Sequence, residues 1–415
     1  MTLREAHVHL PLLGRALMLP DFGDIESVDE CLDRVREMAA RASGWVLACG
    51  ARVEGWSDRR WPTLDEFDSA TGGVPACVMS FDYHAVLANT AAMRASGVDA
   101  RAPEGGIVVR DADGRATGLL LEQAARAAWN AAPEPTPAER IEHVAAACAH
   151  LQALGFEEAH DLHAPLWLGP VLRRLHREGR VGLRVGVYVP HAELRVVVDA
   201  RAMWEGPGLR LLGSKLFADG TLNSRTASVL HPYAEGMAGM ERGVLLLSRA
   251  QLSAAMRECA DLGVGLAVHA IGDRAVRAVL DARAAMEHEA RPAHVRIEHA
   301  ELIDAADVPR FGELGVLASV QPCHLLADIE ALTRLVPDRM DRVMPWREMI
   351  DSGLRAGEGI LFGSDAPIVR ADPSDSIQAA VGRGRPGGVR IAAGQAITEG
   401  EAWEAFGVGR CRWVE

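Results

Sequence analysis

The sequence lacks the features that would place it in a membrane, on nucleic acid or in a secretory pathway. No apolar run is long enough to span a bilayer, and the N-terminus lacks the basic-then-apolar pattern of a signal peptide. The net charge of -13 disfavours binding to nucleic acid or to an anionic membrane surface. The basic loop at residues 382–390 is too short to change that expectation.

The cysteines do not form any recognisable pairing pattern. The seven cysteines are scattered, odd in number and contain no C-x-x-C motif. This usage argues against a disulfide framework and against a thiolate zinc site. We therefore expect reduced thiols in a cytoplasmic protein, where each cysteine behaves as a small core residue.

Strand-like runs alternate with helical patterns along most of the 415 residues, which indicates a parallel sheet with helices between its strands. Eight strands fit this pattern: Leu3–His9, Glu157–Asp161, Leu183–Val189, Arg210–Phe217, Val264–His269, Val295–His299, Val316–Gln321 and Ile360–Ser364. They predict an α/β fold of the (β/α)8 type, a TIM-like barrel. The chain length suits such a barrel with insertions.

The interval after the first strand is too long for a simple βα connection. Helical patterns cover Ser27–Ala42 and Pro137–Leu154, but residues 43–129 lie between them and contain strand-like and turn-like segments. We interpret this segment as an insertion lobe. The predicted domains are a barrel made of residues 1–42 and 130–415, and a lobe of residues 43–129 over the active-site face of the barrel.

Metal-ligand residues close four of the apolar strands. His7 and His9 end the first strand, His269 and His299 end two later strands, and Asp365 follows the last. Because strand ends converge on one face of a barrel, we expect these side chains to meet there. His7 and His9 are two residues apart on a strand, so both imidazoles point to the same side and suit one metal ion. For His269 or His299 alone, a hydrogen-bonded core histidine is the simpler interpretation.

Lys215 also ends an apolar strand, where an unpaired ammonium group would be costly to bury. Carboxylation by CO2 would convert it into an anionic carbamate that can bridge two metal ions, whereas pairing with Asp219 would leave it an ordinary lysine. Asp365 can ligate a metal and act as a general base, or it can cap a helix in the segment "SDAP". The residues alone leave both pairs of alternatives open.

Several segments together resemble a known family. They are "HVH", "GSKLFADGTLNSRTA", "VHAIGDRAV", "RIEHAEL", "SVQPCH" and "FGSDAPIVRADP". They resemble the amidohydrolase superfamily, and within it the amidohydrolase-3 branch of YtcJ-like metal-dependent hydrolases and N-substituted formamide deformylases. The inserted lobe is similar to that of the branch. The family usually flanks its barrel with a small β-sandwich, and the sequence shows neither half of it, so we expect the barrel without the sandwich.

The resemblance implies metal ligands at His7, His9, Lys215 (as a carbamate), His269, His299 and Asp365. It implies hydrolysis of an amide, formamide or related C–N bond by a hydroxide that bridges two metals, with Asp365 as the catalytic base. We expect two zinc ions, or one if Lys215 is not carboxylated. Two alternatives stay open: hydrolysis of an ester, lactone or phosphoester on the same site, and a barrel that binds metal or ligand without turnover.

A further set of residues are candidates for contact with a small-molecule substrate, although a structural role is an equally simple interpretation of each. They are Trp56, Asp82, His84 and Glu122 in the lobe, Arg225 after Lys215, and His324 after the seventh strand. Arg225 could instead pair with Asp219. We expect neither nucleic acid nor a membrane as a partner, and a homo-oligomer is compatible with the sequence.

Overall fold

A computed structural model of the chain describes residues 2–81, 83, 85–103, 106–236, 239–286, 292–385 and 387–407. Within these ranges the β-strands are β1 (Leu3–Val8), β2 (Val46–Ala51), β3 (Ala76–Ser80), β4 (Ala85–Ala88), β5 (Gly106–Arg110), β6 (Ala116–Glu122), β7 (Phe156–Asp161), β8 (Arg184–Pro190), β9 (Leu209–Phe217), β10 (Gly265–Ala270), β11 (Val295–His299), β12 (Val316–Val320) and β13 (Ile360–Phe362).

The same ranges contain helices that follow most of the strands. They are α1 (Leu10–Met18), α2 (Val28–Arg41), α3 (Leu64–Thr71), α4 (Thr90–Ser96), α5 (Gln123–Asn130), α6 (Pro137–Ala153), α7 (Leu168–Arg177), α8 (Leu194–Asp199), α9 (Arg249–Asp261), α10 (Asp273–Ala284), α11 (Val308–Leu314), α12 (His324–Leu335), α13 (Trp346–Asp351), α14 (Pro373–Gly382) and α15 (Glu399–Phe406). None of these described helices is both long enough and apolar enough to cross a bilayer.

The predicted barrel is confirmed. Its eight strands lie side by side in the order β1, β7, β8, β9, β10, β11, β12 and β13, and every pair is parallel. The last strand returns to the first, because Asp365 N donates to His7 O at 2.7 Å and His9 N donates to Ala366 O at 3.0 Å. The sheet is therefore nearly closed, and the carboxyl ends of its strands share one face.

Local sequence explains why these segments alternate. The strands β10 and β11 are buried along their whole length, as parallel strands covered by helices must be. Helix α9 begins at a capping box, in which the Ser248 side chain accepts a hydrogen bond from Gln251 N and the Gln251 side chain accepts one from Ser248 N. Helix α2 begins after Ser27, whose side chain accepts a bond from Glu30 N.

The chain divides into two compact units. The first consists of Met1–Leu13 and Val144–Glu415 and holds the barrel; the second is Gly14–His143. The second unit contains a five-stranded mixed sheet in the order β2, β3, β4, β6, β5, in which β2 and β3 are parallel and the other neighbours antiparallel.

The boundaries of the second unit differ from the expected lobe of residues 43–129. Helix α2 is part of this unit, because Val28, Cys31, Leu32 and Val35 pack into the same hydrophobic core as strand β2. A stripe of apolar residues on a helix can cover either of two sheets, and the sequence pattern does not say which one. The expectation that the lobe covers the active-site face stays a prediction.

Candidate metal centre

The barrel brings the predicted ligand residues to one set of strand ends. His7 lies in β1, Lys215 in β9, His269 in β10 and His299 at the end of β11, while Asp365 follows β13. The ring centroids of His269 and His299 are 4.5 Å apart, and those of His7 and His299 are 5.1 Å apart. Residues separated by more than 300 positions in sequence thus form one cluster.

His7, Asp365 and His9, which follows β1, form one group of possible ligands. His9 Nε2 lies 3.0 Å and His7 Nε2 lies 3.4 Å from the same oxygen, Oδ1 of Asp365. One ligand atom from each residue lies within 4.8 Å of the others, which is the spacing of donors around a shared cation. Two imidazoles and a carboxylate are a donor set that zinc and related divalent ions accept.

Electrostatics in the cluster keeps His7, His269 and Asp365 in the states that bind metal. Burial lowers the pKa of His7 to about 4 and that of His269 to about 3, so both imidazoles are neutral near pH 7. Burial alone would raise the pKa of Asp365, but His7 and His9 outweigh it and hold that pKa below its ordinary value. Burial would lower the pKa of His9, but the Asp365 carboxylate beside it outweighs burial and raises that pKa, which favours the protonated imidazole.

Two buried polar atoms at the carboxyl ends of the barrel strands fit a metal-binding role better than a structural one. Asp365 Oδ1 and His299 Nδ1 are both buried, and neither has a partner with hydrogen-bond geometry among the described residues. Buried polar atoms of native proteins are normally bonded, so such atoms need an explanation. A cation bound between the imidazoles and the carboxylate would supply the missing partner to Asp365 Oδ1.

The backbone is strained where two of the candidate ligands sit. His299 has φ of 72° and Asp365 has φ of 65°, in the left-handed region that residues other than glycine rarely adopt. Such conformations cost on the order of 1–3 kcal/mol each and persist where the surrounding structure imposes them. Here the hydrogen bond from Asp365 N to His7 O fixes the second of them.

The helix-cap alternative for Asp365 is wrong. The next helix, α14, begins at Pro373, and its N-cap is Asp372, whose side chain accepts from Ser374 N. Asp365 instead follows β13, and its carboxylate lies in the histidine cluster. Its side chain is therefore available for chemistry rather than committed to a helix end.

Lys215 is almost wholly buried in the same cluster, with 3% of its surface exposed. Burial lowers the pKa of its ammonium group to about 8, although Glu298 and Asp365 oppose the shift. Asp219, the partner expected for an ordinary lysine, instead accepts hydrogen bonds from the backbone N–H groups of Ser228, Ile271 and Gly272. The pairing alternative therefore gains no support from the geometry.

A second group of possible ligands adjoins the first. It consists of His299, Glu301 and His324, all buried, with ligand atoms within 4.8 Å of one another. His324 Nε2 lies 3.9 Å from Asp365 Oδ2, so the aspartate stands between the two groups. Burial alone would lower the pKa of His324, but Glu301 and Asp365 raise it to about 9. Sequence reasoning missed Glu301, although its place two residues after His299 was a usable signal.

The remaining candidate residues lie in different surroundings. Trp56 is buried in the core of the second unit with its ring 5.9 Å from that of Trp61, a position that favours packing over contact with substrate. Glu122 ends β6 in the same unit. Arg225 faces Glu235 at 3.7 Å rather than Asp219. Asp82 and His84, two further candidates for substrate contact, lie outside the described residues.

The barrel is parallel and nearly closed, and histidines and carboxylates cluster at the carboxyl ends of its strands. This arrangement is typical of one class of protein, the barrel hydrolases that bind divalent metal. The model of the Amidohydrolase family (Amidohydro_3) matches residues 3–409, which is nearly the whole chain. The chain belongs to the amidohydrolase family.

Individual relatives agree with this assignment. YtcJ of Bacillus subtilis (strain 168), named as an amidohydrolase, is 28% identical over 402 residues, which cover 91% of this chain and 72% of that protein. N-substituted formamide deformylase of Arthrobacter pascens is 24% identical over 97% of this chain and 77% of its own length. The crystal structure of a metal-dependent hydrolase from Pyrococcus horikoshii OT3 superposes with a TM-score of 0.77 at 25% identity, over 98% of this chain and 79% of that one.

Proposed function

We propose that this amidohydrolase cleaves an amide, a formamide or a related C–N bond with the help of divalent metal, most simply zinc. The observation that supports this proposal is the group formed by His7, His9 and Asp365 at the carboxyl ends of the strands. The name of the Arthrobacter relative, N-substituted formamide deformylase, supports the choice of the C–N bond.

The positions of the candidate ligands support their assignment to two metal ions. His7 and His9, with Asp365, would hold one ion, and His269 and His299 would hold a second. Lys215, as a carbamate, would bridge the two, and burial favours this by lowering the pKa of its amine toward the neutral form that reacts with CO2. When bound, such ions polarise a carbonyl group and lower the pKa of water to near neutrality.

The chain's own residues then handle substrate and proton. Asp365 has one oxygen facing His7 and His9, while its second oxygen, Oδ2, lies toward His324. We assign Asp365 as the general base that takes the proton from water and passes it to the leaving nitrogen. We assign His324 as a contact for the substrate beside Asp365, and the distance of 3.9 Å between its Nε2 and Asp365 Oδ2 supports this assignment.

We also propose a cytoplasmic location, on the basis of the thiols. The six cysteines among the described residues, all buried, form no disulfide with one another. Cysteines that are buried and not paired in disulfides are typical of proteins in a reducing compartment, which supports a cytoplasmic location.

A panel of matched substrates tests the proposed function. Zinc-loaded protein is assayed on N-substituted formamides, simple amides and the corresponding esters and lactones. We expect turnover of a formamide or amide that a chelator abolishes and added zinc restores. Turnover of esters or lactones alone would contradict the C–N assignment. Tight zinc binding without turnover of any substrate would favour a non-catalytic barrel.

A further inference from the structure

The buried carboxylate of Glu298, which is not one of the proposed metal ligands, contacts the proposed ligand His7. Glu298 Oε2 lies 2.7 Å from His7 Nδ1, and both side chains are almost completely shielded from solvent. Glu298 lies in β11, which is not a neighbour of β1 in the sheet, so the two residues meet across the interior of the barrel. A charge in such a place is costly unless it is fully bonded.

Arg296 supplies the bonds that Glu298 needs. It lies two residues earlier on the same strand, so both side chains point into the barrel. Its Nη2 donates to Glu298 Oε2 at 3.0 Å and its Nε donates to Oε1. This two-point contact between a planar guanidinium and a carboxylate fixes the orientation of the carboxylate as well as its charge.

The guanidinium of Arg296 is itself held by other strands. It donates to the Ala6 carbonyl in β1 at 2.6 Å and to Ser319 Oγ in β12 at 2.6 Å. It also lies 3.0 Å from His160 Nδ1 in β7. Through Arg296, Glu298 is therefore held in place relative to three strands besides its own, β1, β7 and β12.

These contacts decide which nitrogen of His7 carries the proton. An ionised carboxylate can only accept hydrogen bonds, so the nitrogen that faces Glu298 must donate. The amide of Gln321 lies 3.2 Å from the same nitrogen, but the ion pair with Arg296 makes Glu298 the acceptor that sets the tautomer. Nε2 of a neutral His7 then keeps its lone pair, and this nitrogen faces Asp365 Oδ1 at 3.4 Å.

We propose that Glu298, clamped by Arg296, is a positioning residue that fixes the tautomer and the ring orientation of His7 and thereby raises the affinity of the site for a divalent ion. The inference rests on the proposed function in one respect, that His7 is a metal ligand. Carboxylates that orient metal-binding histidines in this way contribute about 10- to 100-fold to metal affinity.

The test measures zinc binding without any substrate. Zinc ion alone is titrated into metal-free protein in competition with a chromophoric chelator, for the wild type and for Glu298→Gln. We expect Glu298→Gln to bind zinc about 10- to 100-fold more weakly, because the neutral amide neither holds the Nδ1 proton as strongly nor retains the ion pair with Arg296. With Co²⁺ in place of zinc, the visible absorption of the bound ion should also change, since the orientation of one ligand changes.

A matched control separates this role from the general loss of a buried ion pair. Asp307 is a buried carboxylate at the start of α11, which Arg277 Nε contacts at 2.8 Å and Arg310 Nη1 at 2.7 Å. Asp307→Asn should lower thermal stability but leave zinc affinity at the wild-type value. Should Glu298→Gln fail to fold by circular dichroism, Glu298→Asp replaces it; the shorter side chain keeps the charge but cannot span the same distance, so zinc affinity should again fall.

A double-variant cycle gives the decisive comparison. If Glu298 acts through His7, zinc affinity of His7→Ala should not fall further when Glu298→Gln is added. Unchanged zinc affinity in Glu298→Gln, or an independent and additive loss in the double variant, would overturn the inference while leaving the proposed function standing. A wild-type protein that binds no zinc at all would overturn both.

Discussion

At the scale of single residues, the candidate centre consists of polar groups whose burial is tolerated only because of their neighbours. His7 and Glu298 are almost completely buried and bonded to each other, and Asp365 lies against two imidazoles. Histidines at strand ends are conspicuous in the sequence, which is why His7, His9, His269 and His299 are candidates. The sequence could not show which atoms face one another, since that depends on contacts across the barrel.

The role of Asp365 as base predicts a large catalytic defect in a conservative variant. Asp365→Asn keeps the size of the side chain but removes its ability to take a proton, so kcat should fall by a factor on the order of 100 or more. Steady-state kinetics, with zinc content measured on the same sample, provides the check. Turnover close to that of the wild type, with unchanged metal, would show that Asp365 is not the base.

Lys215 makes a separate prediction, because its ammonium form would repel two divalent cations. Lys215→Ala should lose activity and at least one metal ion, and added short carboxylic acids should restore part of the activity by filling the bridge. In the wild type, burial lowers the pKa of the amine to about 8, so the neutral form that reacts with CO2 increases as pH rises through that value. Carbamate formed from ¹³C-labelled bicarbonate, followed by NMR, should increase over the same range; no carbamate signal at any pH would contradict the bridge.

At the scale of elements, hydrophobic patterning was enough to find all eight barrel strands, and their boundaries agree within a few residues. What patterning missed is the pair of charges in β11, Arg296 and Glu298. Their spacing of two residues in a fully buried strand was itself a signal, since both must point to one side and satisfy each other. The positive φ values at His299 and Asp365 had no signal in sequence, because neither residue is a glycine.

The closure of the barrel between β13 and β1 can be tested at Gly363. A Cβ atom there would lie 2.4 Å from His7 N and 2.7 Å from Glu5 Oε1, so the two strands would have to separate. We expect Gly363→Ala to destabilise the fold by about 1–3 kcal/mol, the usual cost of overpacking, and to weaken zinc binding because His7 moves.

Gly394 provides the control for that variant, because a Cβ there meets no atom within 4 Å. Gly394→Ala should stay within about 0.5 kcal/mol of the wild type, as substitutions at open sites do. Urea unfolding of both variants, with zinc affinity measured in parallel, gives the comparison. Equal stability and zinc affinity in Gly363→Ala and Gly394→Ala would contradict the tight closure of the barrel at this point.

At the scale of the whole molecule, the chain is an amidohydrolase barrel unit joined to a second compact unit with its own sheet and core. The sequence predicts an insertion after the first strand, because no ordinary βα loop contains so many residues. The second unit, Gly14–His143, starts earlier than the lobe expected at residues 43–129, and the apolar stripe of α2 gives no information about the sheet that it covers. The candidate metal centre lies in the first unit, because all of its proposed ligands lie there.

The central claim is that this barrel holds divalent metal through His7, His9 and Asp365, and metal content tests it most directly. Protein purified without chelators is analysed by inductively coupled plasma mass spectrometry, beside the variant His7→Ala. We predict one or two divalent transition ions per chain in the wild type, most simply zinc, and fewer in the variant. Wild-type protein that carries no metal, and takes up none when zinc is supplied, would contradict the account.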